Sequence, residues 1–196
     1  MVRVPAAKLI LWCLLALPAV ATLVRFFIGE QPAELIPATG EWSAQLIILA
    51  LMLTPLAQLL PGNAAIRWLL RHRRAFGVAA FAYALLHLSF YVLDMESVAN
   101  MLAELPAPAI WTAWLALLCL LPPALVSSDP AMRALGRLWK KIQRLAYPAA
   151  ILTLVHWLLV HDGVTEALLH FAPLAVLQLL RIARLFTPKP LERNIA

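Results

Sequence analysis

Two histidines stand where a histidine is costly. His87 lies in AYALLHLSFY and His156 in TLVHWLLV. Both runs are apolar enough to cross a bilayer, and an ionisable ring persists in hydrocarbon only when something holds it. Their depths can be compared, because each follows a basic boundary by nearly the same length of chain. His87 is thirteen residues beyond Arg74, and His156 is twelve beyond Arg144. At about 1.5 Å per helical residue, both lie roughly 18–20 Å from that boundary, in the outer half of a core ~30 Å thick. Two imidazoles at matched depth on parallel helices can face each other across a gap. A haem iron takes two axial ligands from opposite faces, and bis-histidine ligation suits electron transfer because no coordination position stays open for chemistry. A lone intramembrane histidine is more simply a core residue bonded to a neighbouring helix; it is the matched pair that points to a metal. His170, six residues into the last apolar run, reaches a similar depth. It could replace either ligand or bond a haem propionate. His72, among arginines in RHRR, and His161, in VHDGV, read as solvated.

The elements that must position these rings follow from composition. The chain has 196 residues, 63% hydrophobic and 13% charged, with mean hydropathy +0.84. Soluble domains are about half apolar and a quarter charged, so the solvent here is lipid. Six apolar segments approach the ~20 residues a spanning helix needs. They run Leu9–Ile28, Trp42–Leu60, Ala75–Leu93, Ala109–Val126, Leu145–Val160 and Val164–Phe186, separated by proline-bearing or charged connectors. The expected fold is all-α, an integral membrane bundle of six transmembrane helices forming a single domain over 1–196. Arg3, Lys8 and an AVA at 19–21 imitate a signal peptide, but the apolar run continues to Phe27. That is too long for a signal h-region and predicts a retained first span.

Charge orients the bundle. Fifteen of the 16 basic residues fall beside the same ends of the spans, Arg25 being the exception, and eight of the ten acids fall at the other ends. This positive-inside pattern predicts cytoplasmic termini and accounts for the net charge of +6 without any nucleic acid. Trp42, Tyr91 and Trp111 suit an outer aromatic belt, and Trp68, Trp139 and Tyr147 an inner one. Arg71, Arg74 and Arg144 could hold a propionate or a phosphate, although their topological role already explains them. Cys13 and Cys119 sit singly in apolar runs with no CxxC or CxxCH, which argues against structural zinc and covalent haem.

Three ordered stretches carry a resemblance. RHRRAFGVAAFAYALLHLSFY, ATGEWSAQLIILALMLTPLAQLL and LGRLWKKIQRLAYPAAILTLVHWLL resemble the third, second and fifth spans of the ferric-reductase-like transmembrane family. More narrowly, they are similar to its bacterial haem-binding members that serve repair of oxidised periplasmic proteins. The likeness covers roughly 38–186. One position departs from the pattern. Thirteen residues before the fifth-span histidine, where the family carries another histidine, this chain has Gln143. A glutamine amide is a poor iron ligand, so a second haem is in doubt while His87 and His156 stand.

The resemblance implies a cytochrome in the bacterial inner membrane carrying haem b, with FMN as a further possibility. It implies electrons drawn from membrane quinol or from a cytoplasmic flavin reductase. They would pass to a periplasmic molybdopterin-containing methionine-sulfoxide reductase subunit. There is no GxGxxG phosphate loop and no nucleotide-binding domain after the sixth span, which fits a relay whose chemistry belongs to its cofactor. Two other readings stay open. A transporter could use the histidines as a pathway, although inverted repeats are not evident. A cofactor-free membrane scaffold would need no ligand at all. Docking of a periplasmic partner is expected on the acidic loops around Asp94–Glu104 and Asp162–Glu166.

Overall fold

The computed structural model describes residues 6–160 and 164–186. His161 and Asp162, and the terminal Arg3, Lys189 and Arg193, fall outside them. Among the described residues there are nine helices and no strand. Six apolar spans cross the bundle: α1 (Ala6–Phe27), α2 (Pro32–Leu59), α3 (Ala64–Asp94), α5 (Pro108–Leu125), α8 (Ala146–Val160) and α9 (Val164–Phe186). Short helices α4 (Val98–Glu104), α6 (Asp129–Leu135) and α7 (Arg137–Gln143) fill the connectors. The chain is a multi-pass all-α membrane bundle.

Two helices extend beyond the apolar segments that announced them. α2 begins at Pro32 rather than near Trp42, and α3 at Ala64 rather than near Ala75. Charge ends burial in hydrocarbon but does not end a helix. At the start of α3 the Asn63 side chain caps the Ile66 amide at 3.1 Å, and Arg and Leu in the following turns are good helix formers. At α2 a proline in the first turn supplies the preset φ and lacks only an amide that would have had no partner there.

Interhelical distances are set by small residues and a few interhelical hydrogen bonds, the usual means of association in lipid. α2 packs chiefly on α3 and α5 chiefly on α8, with Ala44, Ala79, Ala80, Ala116, Ala149 and Ala150 buried at the seams. The Ser43 hydroxyl donates across the first seam to the Ala80 carbonyl at 2.9 Å. α7 is fastened under α5: the Trp139 indole donates to the Val126 carbonyl at 3.0 Å, and the Gln143 amide to the Pro123 carbonyl at 3.0 Å. Trp139 is therefore a buried anchor and not the belt residue its place in the sequence suggested.

α1 is the least embedded span, with Leu11 and Thr22 its buried residues. Its principal polar tie is Tyr83 of α3. The phenol donates to the Leu15 carbonyl and accepts from the Ala19 amide, both at 2.8 Å. Those two groups are i and i+4 partners of a helical ladder, so the hydroxyl is inserted into α1 beside Pro18. Tyr83→Phe is expected to weaken the bundle by about 1 kcal/mol, the scale of interhelical hydrogen bonds in lipid. Unfolding in mixed detergent would measure it, and an unchanged midpoint would show that α1 closes its own ladder at no cost.

Candidate functional site

The histidines are brought together. His87 on α3 and His156 on α8 have ring centroids 6.1 Å apart with planes at 82°. Two imidazoles bound on opposite sides of one metal ion, each with a bond of about 2 Å, place their centroids at roughly that separation. Each ring is held through Nδ1. His87 Nδ1 lies 2.8 Å from the Ile36 carbonyl of α2, and His156 Nδ1 lies 2.8 Å from the Ala109 carbonyl of α5. A carbonyl can only accept, so Nδ1 carries the proton and donates in both bonds. Nε2 then bears the lone pair, the tautomer a metal-ligating histidine adopts when its other nitrogen donates to a backbone carbonyl.

The two halves of the site repeat one plan. A helix entering from the acidic end presents a carbonyl near its first turn, and the helix paired with it supplies the ring. The cavity between the rings is lined at equal offsets from both. Ala84 and Thr153 stand three residues before the histidines, and Leu88 and Trp157 one residue after. The remaining wall comes mainly from Gly40 and Ala44 of α2 and Ala113, Trp114 and Leu117 of α5. The walls are mainly apolar, as in cofactor sites generally, with Glu41, Ser43, Tyr91 and Thr153 as the other polar members of the lining. Gly40 is required by the closeness of the first ring. A Cβ there would stand 3.0 Å from His87 Nδ1 and 3.1 Å from its Cε1.

A second cavity, of about 360 Å³, opens at the basic end. Arg74 and Arg144 line it as expected of an anion site, joined by Arg73, Lys140 and Arg181. Arg71 is exposed and is not part of its wall. Arg74 donates to the Asp129 carboxylate at 2.5 Å and to the Ser127 carbonyl at 3.3 Å. The Arg74 guanidinium holds the Asp129 carboxyl below its ordinary value, so whatever this pair adds to stability is present above the usual carboxylate range and is lost in acid. Gln143 also lines this cavity, its amide spent on Pro123, and no imidazole does. His72 is turned away, donating to the Trp68 carbonyl at 2.8 Å with its ring against that indole.

His170 is not brought to the pair. Its Nδ1 donates to the Glu166 carbonyl at 2.8 Å, its Nε2 faces the Gln45 amide at 3.3 Å, and its ring lies 5.1 Å from that of Trp157. Trp157 stands between it and the cavity wall. Sequence reasoning missed the two carbonyls, which have no letter of their own, and the role of Gly40, which hydropathy left in the connector before the second span.

The glycines offer a direct check. Gly40→Ala must displace the His87 ring and is expected to cost about 1–3 kcal/mol, as overpacking does. Gly77, with nothing within 4 Å of a built Cβ, should accept alanine with a gain of about 0.4–1 kcal/mol. Thermal unfolding of the two variants in detergent compares them, and equal stabilities would deny the close approach.

Comparison with known proteins bears on the same residues. The family of the ferric reductase like transmembrane component matches residues 39–154, a stretch that contains His87 and ends two residues before His156. The chain is similar to the protein-methionine-sulfoxide reductase heme-binding subunit MsrQ of Xanthomonas axonopodis pv. citri (strain 306). The two are 37% identical over 155 residues, covering 76% of this chain and 69% of that protein. The subunit of the same name from Azospira oryzae is 34% identical over 187 residues, covering 89% of this chain and 78% of the relative. No solved structure matches. By the extent of these matches, the chain belongs to the ferric reductase-like transmembrane family.

Proposed function

We propose that this protein is a membrane cytochrome b, a single-domain electron relay. On this reading it joins a donor at its basic, cytoplasmic end to an acceptor at its acidic, periplasmic end. The observation that carries the reading is the pair of rings 6.1 Å apart, each with Nδ1 committed to a backbone carbonyl. Relatives bearing the name of a heme-binding subunit support the same ligand. Bound there, haem b would supply a one-electron ferric–ferrous couple. The protein does the rest. His87 and His156 would hold the iron through Nε2 while each Nδ1–H stays on its backbone carbonyl. With both ligands supplied by the protein, no position would stay open for a substrate, which suits electron transfer without bond making.

The basic cavity is the natural place for the donor. Its cations suit a quinol headgroup, or the phosphate of a flavin such as FMN, through Arg74 and Arg144. Arg71 has no part in that reading. Lacking an imidazole, this cavity does not support a second bis-histidine haem. The acceptor we infer is a periplasmic molybdopterin-containing methionine-sulfoxide reductase subunit in the bacterial inner-membrane system to which the relatives' name refers. Its docking surface, on this reading, is the acidic loops around Asp94–Glu104 and Asp162–Glu166, Asp162 lying outside the described residues.

Haem stoichiometry and the reduced-minus-oxidised spectrum of the purified protein test this reading. One b-type haem per chain is expected, lost in His87→Ala and in His156→Ala and kept in His170→Ala. A colourless wild type would sink the cytochrome and return the transporter and the scaffold to consideration. Reversing Asp94, Glu96 and Glu104 to lysine should leave haem content intact and slow electron transfer to the reductase subunit severalfold, more at low salt than at high. Unchanged transfer would remove that loop from the interface.

A further inference from the structure

The carbonyls that hold the two histidines are each shared with a buried threonine. The one hydroxyl proton of Thr39 is shared between the Leu35 carbonyl at 3.0 Å and the Ile36 carbonyl at 2.9 Å. That of Thr112 is shared between the Pro108 and Ala109 carbonyls, both at 2.8 Å. Hydroxyls in membrane helices commonly bond back to the carbonyl four residues earlier, and Thr22, Ser89, Ser127 and Thr153 do that here. Among the described residues, Thr39 and Thr112 are the two that also reach the carbonyl three residues earlier. In both cases that carbonyl is the one receiving a histidine Nδ1–H. Each stands three residues after the carbonyl that its histidine holds, and both are buried, at 0% and 3% exposure, so no water substitutes for either hydroxyl.

We propose that Thr39 and Thr112 are matched positioning residues. By sharing the carbonyl each ring holds, they set how strongly His87 and His156 donate to the haem iron; the inference rests on the haem reading above. The carbonyl that accepts from a ligand's Nδ1–H pushes electron density toward Nε2 and raises the ligand's basicity. A carbonyl oxygen has two lone pairs, and a hydroxyl drawing on it weakens that push. Less basic ligands favour the ferrous over the ferric state, and hydrogen bonding around the axial ligands is one of the levers a protein has on a haem potential. The threonines thus hold the potential above what the two carbonyls alone would give. Equal treatment of both ligands keeps the axial field balanced.

Potentiometric titration of the haem-loaded, full-length protein tests the proposal in Thr39→Val, Thr112→Val and the corresponding serine variants. Valine keeps the volume and removes the hydroxyl, while serine keeps the hydroxyl. Each valine variant should bind one haem per chain with a midpoint shifted to more negative potential. Each serine variant should titrate like wild type, and the double valine variant should show the sum of the single shifts. Valine variants at the wild-type potential, or serine variants displaced as far as valine, would overturn the assignment. A second measurement does not depend on haem. In protein labelled with 15N-histidine, the Nδ1–H proton of His87 should move downfield in Thr39→Val, and that of His156 in Thr112→Val, as each bond to its carbonyl strengthens. Resonances that stay in place would overturn the sharing itself. If they move in a protein that takes up no haem, the sharing stands and it is the cytochrome reading that fails.

Discussion

An imidazole in hydrocarbon must place its N–H on an acceptor, and in this bundle the acceptor is backbone. Ile36 and Ala109 offer carbonyls near the entry of α2 and α5, where a helix packed closely against its neighbour can be reached from the side. Much of the architecture serves that demand. α2 must approach α3 closely enough for the His87 ring to touch Gly40, which explains the alanine seam and the Ser43–Ala80 bond beside it. α5 must approach α8 in the same way, and Ala116, Ala149 and Ala150 allow it. The two-seam plan then brings the rings face to edge across one cavity.

The parts legible in the sequence were those that depend on solvent and on spacing. Hydropathy gives six spans, charge gives their common polarity, and residue counts from Arg74 and Arg144 put His87 and His156 at one depth. What was not legible belongs to the backbone or to packing. The carbonyls of Ile36 and Ala109 leave no trace in residue identity. The helical starts at Pro32 and Ala64 lie among charges that hydropathy treats as ends. His170 shares the depth of the pair but turns to Gln45 and Trp157, and depth alone carries no azimuth. Arg71 and Arg74 share a helix face, one turn apart, yet Arg74 lines the basic cavity while Arg71, a turn nearer the helix start, is exposed outside it. Trp139, placed by sequence at a lipid interface, is instead the residue that fastens α7.

Gln143, where the resembling proteins carry a histidine, has a local task at the end of α5. The carbonyls of the last turn of α5, Pro123 among them, have no intrahelical donor. Gln143 and Ser127 both supply one to Pro123. The side chain that cannot serve a second iron serves the helix end instead.

Leu120 lines both cavities and is the residue they have in common. Leu120 therefore forms part of the partition between the two ends of the molecule. Such a wall treats different carriers differently. An electron tunnels through a few ångströms of hydrocarbon, whereas a proton needs a continuous file of polar groups or water, and Leu120 provides neither. At Leu120, then, the wall between the two cavities offers a proton no path while it is no bar to an electron.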